Sequence, residues 1–97
     1  MTEPKVLYKI TVRGRVQGVG FRRTALREAE SLRICGYVRN MPDGGVYIEA
    51  EGTRDQLEKF AGWCNRGPGI GHVDSVHISE CPPVGYNDFR VTSSGYW

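Results

Sequence analysis

Between Gly14 and Arg22 the chain reads Gly-Arg-Val-Gln-Gly-Val-Gly-Phe-Arg, with three glycines inside seven positions and an arginine at the end. Glycine lets a loop take positive φ and leaves the neighbouring amides unobstructed by a Cβ. Successive amides curled around one point form an anion-binding concavity, and a following helix N-terminus adds its partial positive charge. The amides of Arg15, Val16, Gln17, Gly18, Val19, Gly20 and Phe21 are therefore a candidate phosphate cradle, with Arg22 offering a planar fork of donors matched to phosphate oxygens. From Arg13 to Arg27 there are five arginines and no carboxylate, although a helix start ordinarily favours Asp or Glu. The net charge of the whole chain is only +2, so the basic patch is local and suits a small anion better than a long polyanion. Two rival glycine motifs do not fit. A Walker loop requires Lys and then Ser or Thr after its last glycine, where this chain has Phe21 and Arg22. A dinucleotide fingerprint requires a glycine where Arg23 stands.

The elements that must hold this loop follow from periodicity. Tyr8, Ile10 and Val12 alternate with polar residues and predict a strand over Val6–Arg13. Phe21, Ala25, Ala29 and Leu32 recur at helical spacing. Gly36–Asn40 and the alternating Val46, Ile48 and Ala50 predict a hairpin around the turn-forming Pro42-Asp43-Gly44-Gly45. Thr53-Arg54-Asp55-Gln56 is a capping box that opens a second helix on Leu57, Phe60, Ala61 and Cys64, stopped by Gly67-Pro68-Gly69. Val73–Glu80 reads as a fourth strand, and Phe89–Thr92 as a short closing one. The order β-α-β-β-α-β predicts an α+β, ferredoxin-like sandwich: an antiparallel sheet with both helices on one face.

Bulk properties narrow the setting. Ninety-seven residues form a single domain with room for one core, and residues 1–97 carry no repeat or linker to divide them. No apolar run approaches membrane-spanning length, and the N-terminus lacks the apolar core of a signal peptide. Three cysteines, Cys35, Cys64 and Cys81, are too few for a secreted disulfide framework, which points to free thiols and a cytoplasmic location. A Cys35–Cys64 pairing stays open. His72 and His77, five apart on a strand, are expected on opposite faces and unable to share a metal. Tyr96 and Trp97 are expected to pack over a sheet edge.

Taken together, Gly14–Arg22, the run Gly36-Tyr37-Val38-Arg39-Asn40 with Asp43-Gly44-Gly45-Val46, and Gly67-Pro68 before Val73 and Val76 resemble the acylphosphatases from about Lys5 to Val91. The resemblance implies hydrolysis of the mixed anhydride of a carboxylic acid and phosphate. It implies that the glycine loop cradles the phosphate, that Arg22 grips its oxygens, and that Asn40 holds the attacking water. Expected partners are an acyl phosphate and inorganic phosphate, with no metal or other cofactor, no nucleic acid and no membrane, in a monomer. Two other readings remain: a non-catalytic phosphate-binding module, and an RNA-binding module stacking bases on Tyr8 and Tyr47. The Lys/Arg-Gly-Phe/Tyr-Gly/Ala-Phe pattern of the latter is missing, because Arg13-Gly14 is followed by Arg15-Val16.

Overall fold

The computed structural model describes residues 3–92; Tyr96 and Trp97 fall outside them. The elements are β1 (Val6–Arg15), α1 (Phe21–Ser31), β2 (Cys35–Asn40), β3 (Val46–Gly52), α2 (Arg54–Arg66), β4 (His72–Cys81) and β5 (Phe89–Val91). They form one five-stranded sheet in the order β4-β1-β3-β2-β5. The first four strands pair antiparallel, with Ile10 opposite both Ile48 and Ile78. β5 lies parallel to β2, with Val38 opposite Val91, so the sheet is mixed rather than wholly antiparallel.

One face of the sheet carries the core. Tyr8, Ile10, Val12, Val38, Val46, Ile48 and Ala50 present alternate side chains to Phe21, Ala25 and Ala29 of α1 and to Leu57, Phe60, Trp63 and Cys64 of α2. Period-2 strands meeting period-3.6 helices bury both apolar faces at once. Phe21 meets Trp63 at a tilt of 49° with ring centroids 5.0 Å apart, and Phe60 meets Phe89 edge-on at 6.2 Å, tying the start of α1 and strand β5 into the core through α2. Burial places Tyr8 inside the core, whereas Tyr47 lies on the opposite face with its hydroxyl bound to Glu49. The two tyrosines therefore cannot form one base-stacking platform.

Two features depart from simple alternation. A bulge at Asp74 of β4, opposite the step from Arg13 to Gly14, shifts the pairing with β1. Val73 and Val76, three apart, consequently both pack against the core. Their neighbours His72 and His77 are thus on the same face, not on opposite ones; both are exposed, and His72 lies 3.2 Å from Asp74. The three cysteines are free, with Cys64 buried under the helices and Cys35 on the alternate positions of β2 facing away from them. Among the described residues, no helix is long and apolar enough to cross a membrane.

The second departure is the connection from β4 to β5. These strands lie at opposite edges of the sheet, so the chain crosses the face that the helices leave open. Carboxylates on β3 fasten the crossing. Glu51, only 5% exposed, accepts hydrogen bonds from the amides of Val84 (2.7 Å) and Gly85 (2.8 Å). Glu49 accepts from the hydroxyls of Tyr47 and Tyr86, each at 2.6 Å. Burial alone would raise the Glu49 carboxyl, but the hydrogen bonds from Tyr47 and Tyr86, with Lys9 nearby, outweigh it and hold it below the usual carboxylate range.

A group whose pKa is lowered by folding contributes stability above its unfolded pKa and loses it as pH falls through the folded one. Glu49→Gln is therefore expected to lower stability at neutral pH and to flatten the loss of stability on acidification below about pH 4.3, the unfolded glutamate value. Denaturant melts from pH 6 downwards measure both slopes, and parallel curves for the two proteins would refute this assignment.

Candidate active site

The two helices begin in opposite ways. At α2, Thr53 Oγ1 accepts from the Gln56 amide (3.3 Å), Gln56 Oε1 accepts from the Thr53 amide (2.9 Å), and Asp55 sits in the first turn. At α1 the residue before the helix is Gly20, left-handed at φ 80°, with no side-chain cap and no acid in the first turn. The first backbone bond there runs from the Thr24 amide to the Gly20 carbonyl, 3.1 Å. Among the described residues, the amides from Gln17 to Arg23 have no acceptor. Helix starts leave several N–H groups without intrahelical partners, and these ordinarily find a cap. Here Gly18, Gly20, Phe21, Arg22 and Arg23 line a cavity.

Gly18 (φ 74°) and Gly20 shape that opening. Nothing lies within 4 Å of where a Cβ would stand on either, so their φ angles, not crowding, call for glycine. The cavity, about 420 Å³, is lined by Val16, Gly18, Gly20, Phe21, Arg22 and Arg23 from the loop and helix start. Leu26, Asn40 and Val91 complete its wall.

Arg22 is half-buried, and its Nη1 donates to the carbonyl of Thr92 at 2.9 Å. That carbonyl is itself placed by β5, since the Thr92 amide donates to Val38 at 3.0 Å. One of the five guanidinium N–H groups is spent on this anchor and others remain for a ligand. Arg23 is exposed at the rim of the same cavity, with no carboxylate partner among the described residues. Asn40 ends β2 on the helix-facing side and is only 8% exposed. Its carboxamide makes no hydrogen bond to any described residue, and no buried side-chain polar atom is without a partner, so the amide reaches the solvent of the cavity. Buried polar groups are nearly always bonded, so a nearly buried asparagine whose amide is free to meet only what enters the cavity is informative.

Three members of the proposed loop turn their side chains elsewhere. Arg15 is the last residue of β1, exposed and opposite His72. Val19 packs toward Gly71. Gln17 donates both amide hydrogens to backbone carbonyls, Met41 at 2.8 Å and Gly45 at 2.9 Å, and so ties the loop to the β2–β3 turn beside Asn40. The turn is also held by an ion pair between Arg13 and Asp43, and the Asp43 carboxyl is lowered first by that hydrogen bond and then by the Gly45 amide. Sequence reasoning identified the loop but not Gln17 as a fastener, because nothing local marks a side chain that reaches 24 to 28 residues ahead. Thr92 and the cavity-lining Leu26 and Val91 were missed as well, for they meet the loop only through the tertiary fold. No group of three or more His, Cys, Asp or Glu able to hold a metal occurs among the described residues.

The fold and this cavity define a ferredoxin-like α+β domain with an arginine-flanked recess at the start of α1. Comparison with known proteins places it more closely. The acylphosphatase family model matches residues 8–91, and the chain belongs to that family. It is 47% identical over 83 residues to an acylphosphatase of Thermotoga petrophila, covering 86% of this chain and 92% of the relative. An acylphosphatase of Synechococcus is 43% identical over 86 residues, covering 89% and 86%. The solved structure of an acylphosphatase from Coxiella burnetii superposes with a TM-score of 0.88 at 36% identity, covering 92% of this chain and 94% of the other. The chain is a hydrolase of this family's kind.

Removing the Gln17 carboxamide takes two hydrogen bonds from the turn and leaves the Met41 carbonyl with only the Gly44 amide and the Gly45 carbonyl with only the Met41 amide. Gln17→Ala is expected to cost about 1–3 kcal/mol, read as a lowered denaturant midpoint; a change below about 0.5 kcal/mol, the range of ordinary surface substitutions, would show that the turn stands without it.

Proposed function

We propose that the protein hydrolyses acyl phosphates with the phosphate seated on the amides from about Arg15 to Phe21 and gripped by Arg22, while Asn40 orients the attacking water. The observation that carries this reading is the uncapped start of α1, whose amides share one cavity with Arg22 and Asn40. Water attacks phosphorus, the bond from phosphorus to the acyl oxygen breaks, and the carboxylate leaves with the bonding pair, giving inorganic phosphate. A carboxylate is a stable leaving group, so the reaction needs no general acid. Phosphoryl transfer asks chiefly for positioning and for stabilisation of charge on the phosphoryl oxygens, which preorganised amides and a guanidinium supply.

Asparagine orients water but cannot deprotonate it. Among the described residues the cavity wall holds no carboxylate and no histidine, which favours passage of the water's proton to a phosphate oxygen, the substrate serving as its own base. The same inventory favours turnover without added metal. Arg22 is favoured over Arg23 as the gripping residue because it is half-buried and anchored on Thr92, while Arg23 is exposed at the rim.

The test is release of inorganic phosphate from benzoyl phosphate with chelator present. The wild type is expected to turn over rapidly. Arg22→Ala and Asn40→Ala are each expected to lose about 10²–10³-fold in kcat, the range for removing one preorganised donor, with folding checked by circular dichroism. Phosphate binding without turnover in the wild type would make the module a sensor and defeat the proposal.

A further inference from the structure

Beyond the phosphate, the cavity has a second half. About 420 Å³ is in the range of whole small-molecule sites and well beyond what a phosphoryl group alone occupies. Gly18, Gly20 and Arg22 line the anion end, Arg23 and Asn40 add polar groups, and the rest of the described wall, Val16, Phe21, Leu26 and Val91, is apolar. Leu26 stands one helical turn beyond Arg22 on α1 and is half-buried. Val91 lies on β5, on the face shared with the buried Phe89, yet it remains 40% exposed. It is one of only four large apolar side chains so exposed among the described residues, and the only one of the four that lines this cavity. The anchoring carbonyl of Thr92 follows it directly in the chain, so the contact that fixes Arg22 also fixes Val91 beside it. Among the described residues, Asn40 alone on the wall has a side chain that can accept a hydrogen bond, and both charged residues, Arg22 and Arg23, are cationic.

We propose that Leu26 and Val91 form the acyl subsite, and that the protein prefers acyl phosphates whose acyl group has an apolar body, aromatic or branched, over small polar or cationic ones. This rests on the reading of the site as an acyl phosphate hydrolase. An apolar acyl group laid across Leu26 and Val91 removes both surfaces from water. A protonated aminoacyl group would meet Arg22 and Arg23 with no carboxylate on the wall to offset the repulsion. The phosphate stays at the amide end in every case, so the subsite acts on the choice of substrate and not on the phosphoryl chemistry.

The experiment compares kcat/KM for benzoyl phosphate and acetyl phosphate in the wild type, Leu26→Asn, Leu26→Met and Val91→Thr, with inorganic phosphate as competitive inhibitor to report the phosphate end. Intrinsic reactivities of the two substrates cancel when the benzoyl-to-acetyl ratio is compared between proteins. Leu26→Asn and Val91→Thr are expected to lower that ratio by about tenfold, the scale of losing one apolar contact in a binding pocket. Leu26→Met, apolar and of similar volume, is expected to keep it. Val91→Thr changes polarity at nearly constant shape and so keeps the test open if Leu26→Asn folds poorly. An unchanged ratio in the polar variants, with inorganic phosphate still competing, overturns the subsite while the proposed reaction stands. Absence of hydrolysis of either substrate by the wild type overturns the proposed reaction, and the subsite with it.

Discussion

A helix start without a cap is the constraint around which this domain is arranged. The N–H groups of a first turn need acceptors, and α2 shows that the chain has the means to provide them, through Thr53, Gln56 and Asp55. At α1 a left-handed glycine stands in the cap position and arginines fill the first turn, an arrangement that leaves partial positive charge and full positive charge side by side. An anion relieves both at once. The local sequence therefore gives up helix stability at the point where the proposed chemistry takes place, and the remainder of the fold supplies the rigidity that α1 does not secure for itself.

That rigidity comes from three directions. Phe21 locks the end of the loop into the core against Trp63. Gln17 ties the loop to the turn after β2, so that the amides and Asn40 keep a fixed relation. From the far edge of the sheet, β5 brings Thr92 to Arg22, and β5 reaches that edge only because the chain crosses the open face. Glu51 and Glu49 hold the crossing by accepting from Val84, Gly85 and Tyr86. Residues on the side of the sheet away from the cavity thus contribute to its geometry through the covalent continuity of the chain.

Much of this was legible in the sequence, and the limit has a physical form. Strong local signals carried through: the capping box, the Pro42–Gly45 turn, the alternation in β1 and β3, and the glycine loop running into α1. Each depends on a few consecutive residues. What escaped depends on pairing across long separations. The bulge at Asp74 inserts a residue without any marker of its own, and it reversed the expected disposition of His72 and His77. The parallel placement of β5 and the bond from Arg22 to Thr92 are likewise set by which strands become neighbours. Within the site, the glycine loop runs into α1 as expected, but the directions of the Arg15, Gln17 and Val19 side chains were not readable, since a backbone turn leaves side chains to whatever surrounds them.

The central claim is that the amides at the start of α1, and not the exposed arginines at large, seat the phosphate. Titrating the ¹⁵N-labelled protein with inorganic phosphate and following every backbone amide tests it most directly. The account predicts saturable shifts concentrated on the amides from Gln17 to Arg23, with the Asn40 side-chain amide moving alongside them. Shifts confined to Arg13, Arg23 and Arg27, or scattered over the surface without saturation, would contradict it.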